Sequence, residues 1–458
     1  MAHRFIHLSD IHFGQEKHGT LPKHEAVRKA LLKDAKQLAE TRGAPSRVLV
    51  TGDVAFSGKP EQFETAAQWL DELTRSCGCK EVDVSTIPGN HDCDRNAISA
   101  QAKIVYATLR ASSPEVAQAQ LHDISKDGES ASPFLPKLHA YRKFANAYGC
   151  DFASAEKPFW TRLLDLPGGI KVRLVGLTSV QVSNDDDALG KMLLGNEQYI
   201  FEEEDNVVSV VLLHHPFDWF IDKVEASQYI CNRARVILVG HEHSLNIHKT
   251  TDHMSGREWL VIYAGATNPA EQELKFIYNW LEFSCEEKDG VAYLVTEIFP
   301  RAWVPERVCF EADRNRIVGG AESIRVEIVC TNVRMITANQ QVGKQIASGR
   351  TSAVSPIAES AGQPEKAQLA RKGGRAMVKD SAGFDRLRYL FWRHLDWRQR
   401  LKVLVDVNAL PETADQPLPQ ILERVALETA AKDVATLHRL WEAVMPLIPA
   451  EKRDTNPF

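Results

Sequence analysis

Apolar and polar positions in the first third of the chain alternate between strand spacing and helix spacing. Residues 4–8, 47–51 and 82–87 are short apolar runs that predict strands. Between them, residues 24–40 and 61–74 repeat apolar positions on one side of a helix. The order strand, helix, strand, helix, strand predicts parallel pairing within an α/β core.

A polar, helix-prone insertion at about residues 97–159 interrupts this pattern. The strand pattern then resumes in apolar runs at residues 171–177, 207–213, 234–239 and 258–264. Three later runs are separated by turn residues and predict antiparallel strands, at residues 277–283, 291–299 and 324–329. Residues 1–335 are therefore predicted to form one sheet-rich domain.

The composition changes after residue 335. Residues 336–382 are dominated by Ser, Ala, Gly, Gln, Lys and Pro without apolar periodicity, which predicts a flexible linker. Residues 384–405 and 418–448 then show helical apolar spacing, which predicts a small helical domain over residues 383–458.

A basic cluster lies in this helical region. Three interpretations remain open for it: a nucleic-acid patch, an adaptor surface, or a solvated helix face. The cluster comprises Arg386, Arg388, Arg393, His394, Arg398, Arg400 and Lys402.

Bulk composition narrows the class of protein. At 458 residues the chain exceeds the about 250–300 residues at which single cores stop growing, so several domains are expected. Hydrophobic residues make up 44% and charged residues 25%, the balance of a folded globular protein. The net charge of −6 gives the whole chain no basic excess for attracting nucleic acid. A signal pattern and a membrane-length apolar run are both missing, which predicts a cytoplasmic protein without membrane contact.

Polar residues with metal-binding chemistry follow the first two predicted strands. Asp10 and His12 are two residues apart, and such residues in an extended segment point the same way. Gly52 and Asp53 follow the second strand, where one carboxylate can bridge two cations about 3.5–4 Å apart. Each pair alone is also compatible with an ordinary capping or turn motif.

The third such segment, Pro88-Gly89-Asn90-His91-Asp92, is more specific. Asn90 offers a neutral carbonyl oxygen to a metal, and His91 beside it can serve as a proton donor. Asp92 is expected to orient the imidazole of His91 and raise its pKa. Turn chemistry alone does not require His and Asp after Pro-Gly-Asn.

Two further strands end in histidines. His214 and His215 precede Pro216 at the end of the 207–213 run, and spacing alone does not decide which of the two binds a metal. His241 and His243 repeat the two-residue spacing after the 234–239 run.

The order D-x-H, GD, GNHD, H-x-P and GHxH across residues 10–243 resembles the calcineurin-like metallophosphoesterase superfamily. The resemblance implies an α/β fold, a four-layer α/β/β/α sandwich, here with a small all-α C-terminal domain. It also implies that one divalent ion is held by Asp10, His12 and His243, the other by Asn90, His214 and His241, with Asp53 bridging and His91 as the acid. His214 is preferred over His215 because the family's ligand stands two residues before the proline, and Glu242 departs from the small or neutral residue of many relatives.

Residues 7–14 and 51–58 look most like bacterial cyclic-nucleotide phosphodiesterases and nucleases of this superfamily. The resemblance therefore implies a phosphodiesterase that uses a metal-activated hydroxide on DNA or RNA. Two Mn²⁺ ions are favoured, with Fe or Zn²⁺ as alternatives. The tail resembles helical adaptors of bacterial defence systems, which implies a protein partner and a role in antiviral defence. The alternatives are a cyclic-nucleotide phosphodiesterase and a scaffold that uses the metal site for binding.

Overall fold

The computed structural model describes residues 2–16, 20–128, 132–152, 154–166, 170–243, 246–268, 276–333 and 381–458, the last range without 412, 413 and 415. The strands in chain order are β1 (His3–Leu8), β2 (Arg47–Val50), β3 (Val84–Thr86), β4 (Phe159–Leu166), β5 (Ile170–Leu177), β6 (Val207–Leu213), β7 (Ala234–Val239), β8 (Ile247–Thr251), β9 (Glu258–Tyr263), β10 (Ile277–Lys288), β11 (Val291–Val304), β12 (Cys309–Ala312) and β13 (Ile324–Val329).

The helices of these ranges surround the sheets or form the C-terminal region. They are α1 (Leu21–Arg42), α2 (Pro60–Ser76), α3 (Ala100–Ala111), α4 (Pro114–Lys126), α5 (His139–Ala147), α6 (Asn196–Tyr199), α7 (Lys223–Arg233), α8 (Ser381–His394), α9 (Trp397–Asp406), α10 (Gln420–Ala430) and α11 (Val434–Val444). Among the described helices, none combines the length and apolar character that a bilayer span requires.

The strands form two mixed sheets. The first has the order β12–β11–β10–β1–β2–β3, with β13 also paired to β11. In it β1, β2 and β3 are parallel and β10 to β13 antiparallel, which confirms both predictions. The second has the order β4–β5–β6–β7–β9–β8, with antiparallel edges around a parallel centre. The pattern of apolar runs missed the edge strands β4, β8 and β12, because polar and charged residues interrupt the apolar positions of β4, and β8 and β12 are only five and four residues long.

The central strands of the second sheet are buried on both faces. In β6, Val210 and Leu212 share one hydrophobic cluster with Ile6 of the first sheet, so the two sheets pack face to face. Val211 and Leu213 lie in a second cluster together with side chains of α7. Double-sided burial explains why this strand is apolar throughout instead of alternating. The predicted layering of helices outside two packed sheets is confirmed.

The C-terminal helices dock on the helix layer of the first sheet. The hydroxyl of Tyr389 in α8 donates a hydrogen bond to Asp71 of α2 at 2.6 Å. Leu387 and Leu390 belong to the same buried cluster as Phe144 of α5. This domain therefore shares a core with the sheet domain. The predicted linker at 336–382 lies outside the described residues except for 381 and 382.

Four of the seven side chains in the predicted basic cluster form ion pairs. Arg386 binds Glu81 at 2.8 Å, and Arg393 binds Glu64 at 2.6 Å, so both cross to the sheet domain. Arg388 and Arg400 are buried and pair within the helical domain. Cations that are already buried and paired leave little free charge for a nucleic-acid backbone. Their positions favour a structural role over a nucleic-acid patch.

Candidate metal centre

The carboxyl ends of the parallel strands of both sheets meet at one edge of the sandwich. In open α/β sheets this edge is where ligands bind. The residues there are Asp10 and His12 after β1, Asp53 after β2, Asn90 to Asp92 after β3, His214 and His215 after β6, and His241 to His243 after β7. The candidate ligands of the five sequence segments therefore lie at one edge of the structure.

Asp53 lies between two groups of ligand atoms. Its Oδ2 atom is 3.2 Å from Nε2 of His12 and 3.5 Å from Nε2 of His214. Its Oδ1 atom accepts a hydrogen bond from the backbone N–H of His91 at 2.8 Å. The carboxylate is 1% exposed, so its charge is compensated by its neighbours more than by water.

One group of ligand atoms lies on each side of Asp53. Asp10, His12 and His243 place one ligand atom each within 4.8 Å of one another, with Nε2 of His243 3.4 Å from Oδ1 of Asp10. On the other side, Oδ1 of Asn90 is 3.1 Å from Nε2 of His214. The arrangement offers two adjoining cation sites with one shared carboxylate.

Backbone carbonyls fix the orientation of two of these imidazoles. Nδ1 of His214 donates to the carbonyl of Thr51 at 2.7 Å, and Nδ1 of His12 donates to that of Asn268 at 3.3 Å. Because Nδ1 donates in each ring, Nε2 is the nitrogen that would offer its lone pair to a cation displacing the proton there. Ligating histidines are held in the required tautomer by this type of contact.

The site is built on strained backbone. Four candidate ligands have left-handed φ angles, which only a few per cent of non-glycine residues adopt. They are Asp10 (+53°), His12 (+50°), Asp53 (+54°) and His241 (+63°). The backbone N–H groups of Ile11 and His12 both donate to the carbonyl of Asp53, so the first two loops hold each other in place. Such strain is concentrated at functional sites.

Two glycines let the loops approach the ligands. Gly52 has a φ of +96°, and a Cβ atom there would lie 2.4 Å from Nδ1 of His214. A Cβ atom on Gly89 would lie 2.1 Å from Oδ1 of Asp53. Both distances are too short for any side chain, so the GD and GNHD motifs need glycine for space at the ligands.

The predicted role of Asp92 is wrong. Its two carboxylate oxygens accept hydrogen bonds from the backbone N–H groups of Ala55 at 2.7 Å and Gly89 at 2.9 Å. Nδ1 of His91 instead donates to the carbonyl of Phe56 at 2.8 Å. Burial lowers the pKa of His91 in spite of the Asp53 charge, whereas burial and the same charge raise the pKa of Asp92 to about 7. Asp92 therefore braces the loops, and Phe56 orients the imidazole.

His214 and His215 both reach the metal centre. They follow the last residue of β6, so the alternation of strand side chains no longer separates them. His214, His215 and His241 each place a ligand atom within 4.8 Å of one another. His215 is fully buried, and its Nε2 atom has no hydrogen-bond partner among the described residues. His214 remains the proposed ligand, and His215 offers a buried nitrogen beside it.

The residues present suit two divalent cations. Although burial alone would lower it, the charge of Asp53 raises the pKa of His214 to about 9, so the centre has a negative potential that attracts cations. Imidazole, carboxylate and amide donors suit Mn²⁺, Fe or Zn²⁺ better than Ca²⁺, because Ca²⁺ prefers sites made of oxygen ligands alone. Glu242, the departure from the family pattern, is exposed to solvent.

Several neighbours of the centre were not predicted. The ring of Trp219 lies edge-on to His241, with centroids 4.3 Å apart, and the ring of Phe56 stacks on His91 at 5.3 Å. Asn268 is buried, and its side-chain oxygen contacts Nδ1 of His24 at 2.5 Å. Asn268 lies four residues after the 258–264 run. Its position just beyond a strand end was the sequence signal that could have indicated a site residue there.

The two regions of the chain each match a family model. Residues 3–245, just over half of the chain, match the model of calcineurin-like phosphoesterases. Residues 383–445 match the model of the GTPase-associated adaptor domain, which confirms the predicted C-terminal adaptor.

Similar individual proteins match only in part. An uncharacterised metallophosphoesterase-like protein, YydB of Bacillus subtilis (strain 168), is 29% identical over 96 residues, which cover 21% of this chain and 19% of that protein. The 5'-nucleotidase precursor of Thermus thermophilus and the NAD nucleotidase of Haemophilus influenzae are each 14% identical with a TM-score of 0.32. Each of those two matches covers 76% of this chain and 59% of the other.

Proposed function

The chain belongs to the calcineurin-like phosphoesterase family, and on that premise we propose that it is a dinuclear-metal phosphodiesterase that cleaves DNA or RNA. The observation that most supports the dinuclear centre is the position of Asp53 between the His12 and His214 sides, and the diester substrate is proposed from the resemblance of residues 7–14 and 51–58 to phosphodiesterases and nucleases. A carboxylate in that position could be shared by two cations.

We propose that Asp10, His12 and His243 hold one cation and Asn90, His214 and His241 the other, with Asp53 shared. When bound, two divalent cations supply charge for the phosphoryl oxygens and lower the pKa of water. Mn²⁺ is the proposed metal, with Fe or Zn²⁺ as alternatives, since imidazole, carboxylate and amide donors suit all three.

His91 is the proposed acid. Its Nδ1 atom is occupied by the carbonyl of Phe56, so Nε2 is the ring nitrogen left for the substrate. In its doubly protonated form, His91 can pass the Nε2 proton to the leaving oxygen as the P–O bond breaks and a water oxygen bonds to phosphorus.

The helical domain is the proposed site for a protein partner. Its family model is named for association with GTPases, and its docking on α2 would place a recruited partner on the sheet domain. Together with the nuclease assignment, this supports a role in bacterial antiviral defence. Capture of a partner by the full chain, and its loss from variants of exposed α9 and α11 residues, would test this role.

Removal of divalent metal is expected to abolish hydrolysis. The purified chain with Mn²⁺ should hydrolyse bis-p-nitrophenyl phosphate, and a chelator should reduce the rate to the uncatalysed level because no protein group alone replaces the cations. Re-addition of Mn²⁺ should restore the rate. Release of p-nitrophenolate is the measurement, and turnover that persists after complete metal removal would contradict the proposal.

His91→Asn is expected to discriminate between leaving groups. An acid is needed for a poor leaving group such as a nucleoside alkoxide and hardly for p-nitrophenolate. The variant should therefore lose about 10²-fold or more in kcat on a thymidine dinucleotide, with a much smaller loss on bis-p-nitrophenyl phosphate. Equal losses on both substrates would show that His91 acts on the phosphate or on metal binding instead.

A further inference from the structure

A cavity of about 230 Å³ opens beside the candidate metal centre. Its lining includes Phe56, Lys59, His91, Asp94 and Arg95. Among these residues, His91 alone was a predicted site residue. The cavity is too small for a large ligand but has room for one substituent of a substrate held at the metals.

The cavity lies on the side of the proposed acid. The carbonyl of Phe56 accepts the Nδ1 proton of His91, and the two rings stack at 5.3 Å with an interplanar angle of 23°. A group that takes a proton from His91 must lie next to this imidazole. The cavity is therefore placed to receive the leaving side of the substrate.

The two positively charged side chains of the cavity, Lys59 and Arg95, differ in how firmly their ion-pair partners hold them. Nζ of Lys59 binds Asp94 at 2.8 Å, and both side chains are less than one-third exposed. Arg95 pairs with Asp185 at 3.2 Å, but the side chain of Asp185 is 64% exposed. Exposed ion pairs contribute little free energy, so Arg95 can exchange this partner for a phosphate at small cost. Guanidinium groups also match the geometry of phosphate oxygens.

We propose that this cavity, which we name the leaving-side pocket, binds the nucleotide on the leaving side of the scissile bond, with Arg95 contacting its next phosphate. The ring of Phe56 supplies an apolar surface for the sugar or base of that nucleotide. This inference rests on the proposed phosphodiesterase function and specifies its substrate. Such a pocket favours a polynucleotide, because a cyclic nucleotide has no second phosphate beyond its leaving oxygen.

Dinucleotides test the pocket. The full chain with Mn²⁺ is assayed on thymidylyl-thymidine and on the same dinucleotide carrying a 5'-terminal or a 3'-terminal phosphate, and internal cleavage is followed by chromatography. The wild-type enzyme should prefer one of the phosphorylated forms by about tenfold in kcat/KM, the factor expected for one charge-assisted hydrogen bond. Arg95→Ala should remove that preference, and Arg95→Lys should retain part of it.

Arg325→Ala is the matched control, since Arg325 of β13 forms an exposed ion pair with Glu286 of β10 at 2.7 Å. It should keep the wild-type preference. The proposed role of the pocket would be overturned if the preference survived Arg95→Ala, or if Arg95→Ala lowered kcat/KM by the same factor on all three dinucleotides. Hydrolysis of bis-p-nitrophenyl phosphate without any preference among the dinucleotides would overturn the pocket alone. No hydrolysis of any diester would overturn the proposed function as well.

Discussion

Asp53→Asn is expected to lose at least about 10²–10³-fold in kcat/KM for bis-p-nitrophenyl phosphate, the range found on removal of one preorganised electrostatic group. The carboxylate lies within 3.2 Å of His12 and 3.5 Å of His214, so it serves both sides of the centre. An amide of the same shape has one oxygen acceptor and no charge. It can therefore neither bridge two cations nor balance their charge.

The number of metal ions bound per chain should fall together with the activity of Asp53→Asn. Elemental analysis of the purified variant should find clearly less than two metal ions per chain, whereas the wild-type protein reconstituted with Mn²⁺ should approach two. Asp83→Asn is the matched control, because Asp83 precedes β3 at the opposite end of the sheet and pairs with Arg47 at 3.1 Å. A fully active Asp53→Asn enzyme with two metals would remove the basis for the shared carboxylate.

The position of the site could be predicted from sequence because its chemistry is local to strand ends. The candidate ligands follow five of the apolar runs that became parallel strands, β1, β2, β3, β6 and β7, and parallel strands bring those ends to one edge. The glycine of each motif is explained by the space it leaves beside Asp53 or His214. Local spacing therefore predicted where the candidate ligands lie, and the family resemblance assigned them to two ions.

The sequence was less informative where the direction of a side chain determines which group it contacts. Asp92 follows His91 in the chain, but its carboxylate turns to the N–H groups of Ala55 and Gly89. Spacing could not decide between His214 and His215, and the strand ends before both histidines, so strand alternation does not separate them. Neighbours in a short turn have no fixed periodicity, so adjacency does not predict contact.

The packing of the C-terminal helices on the sheet domain also could not be predicted from the pattern of apolar positions. The two stretches with helical spacing are four helices, because Asp396 ends the first stretch early by capping α9 through the N–H of Gln399 at 2.9 Å. The contact between Asp71 and Tyr389 joins positions more than three hundred residues apart. Periodicity shows that a helix has an apolar face but not what covers it.

Asp151→Ala is expected to lower the free energy of unfolding by about 3–5 kcal/mol, the usual cost of breaking a buried ion pair. Asp151 is 7% exposed and binds Arg142 through two bonds of 2.8 and 2.9 Å. It also binds Arg424 of α10 at 3.3 Å. The variant would leave two buried guanidinium groups without this carboxylate, one in each domain.

Denaturant unfolding of the metal-loaded full chain measures this loss. Asp165→Ala is the control, because Asp165 is exposed and lies 3.9 Å from Lys171, so its removal should change the free energy by less than about 1 kcal/mol. Arg424→Met removes the ion pair of Arg424 with Asp151 and its hydrogen bond to the carbonyl of Phe152 at 2.6 Å. It should cost less than Asp151→Ala, since the ion pair between Arg142 and Asp151 remains. An Asp151→Ala protein as stable as the control would mean that the stability of the two domains does not depend on this ion pair.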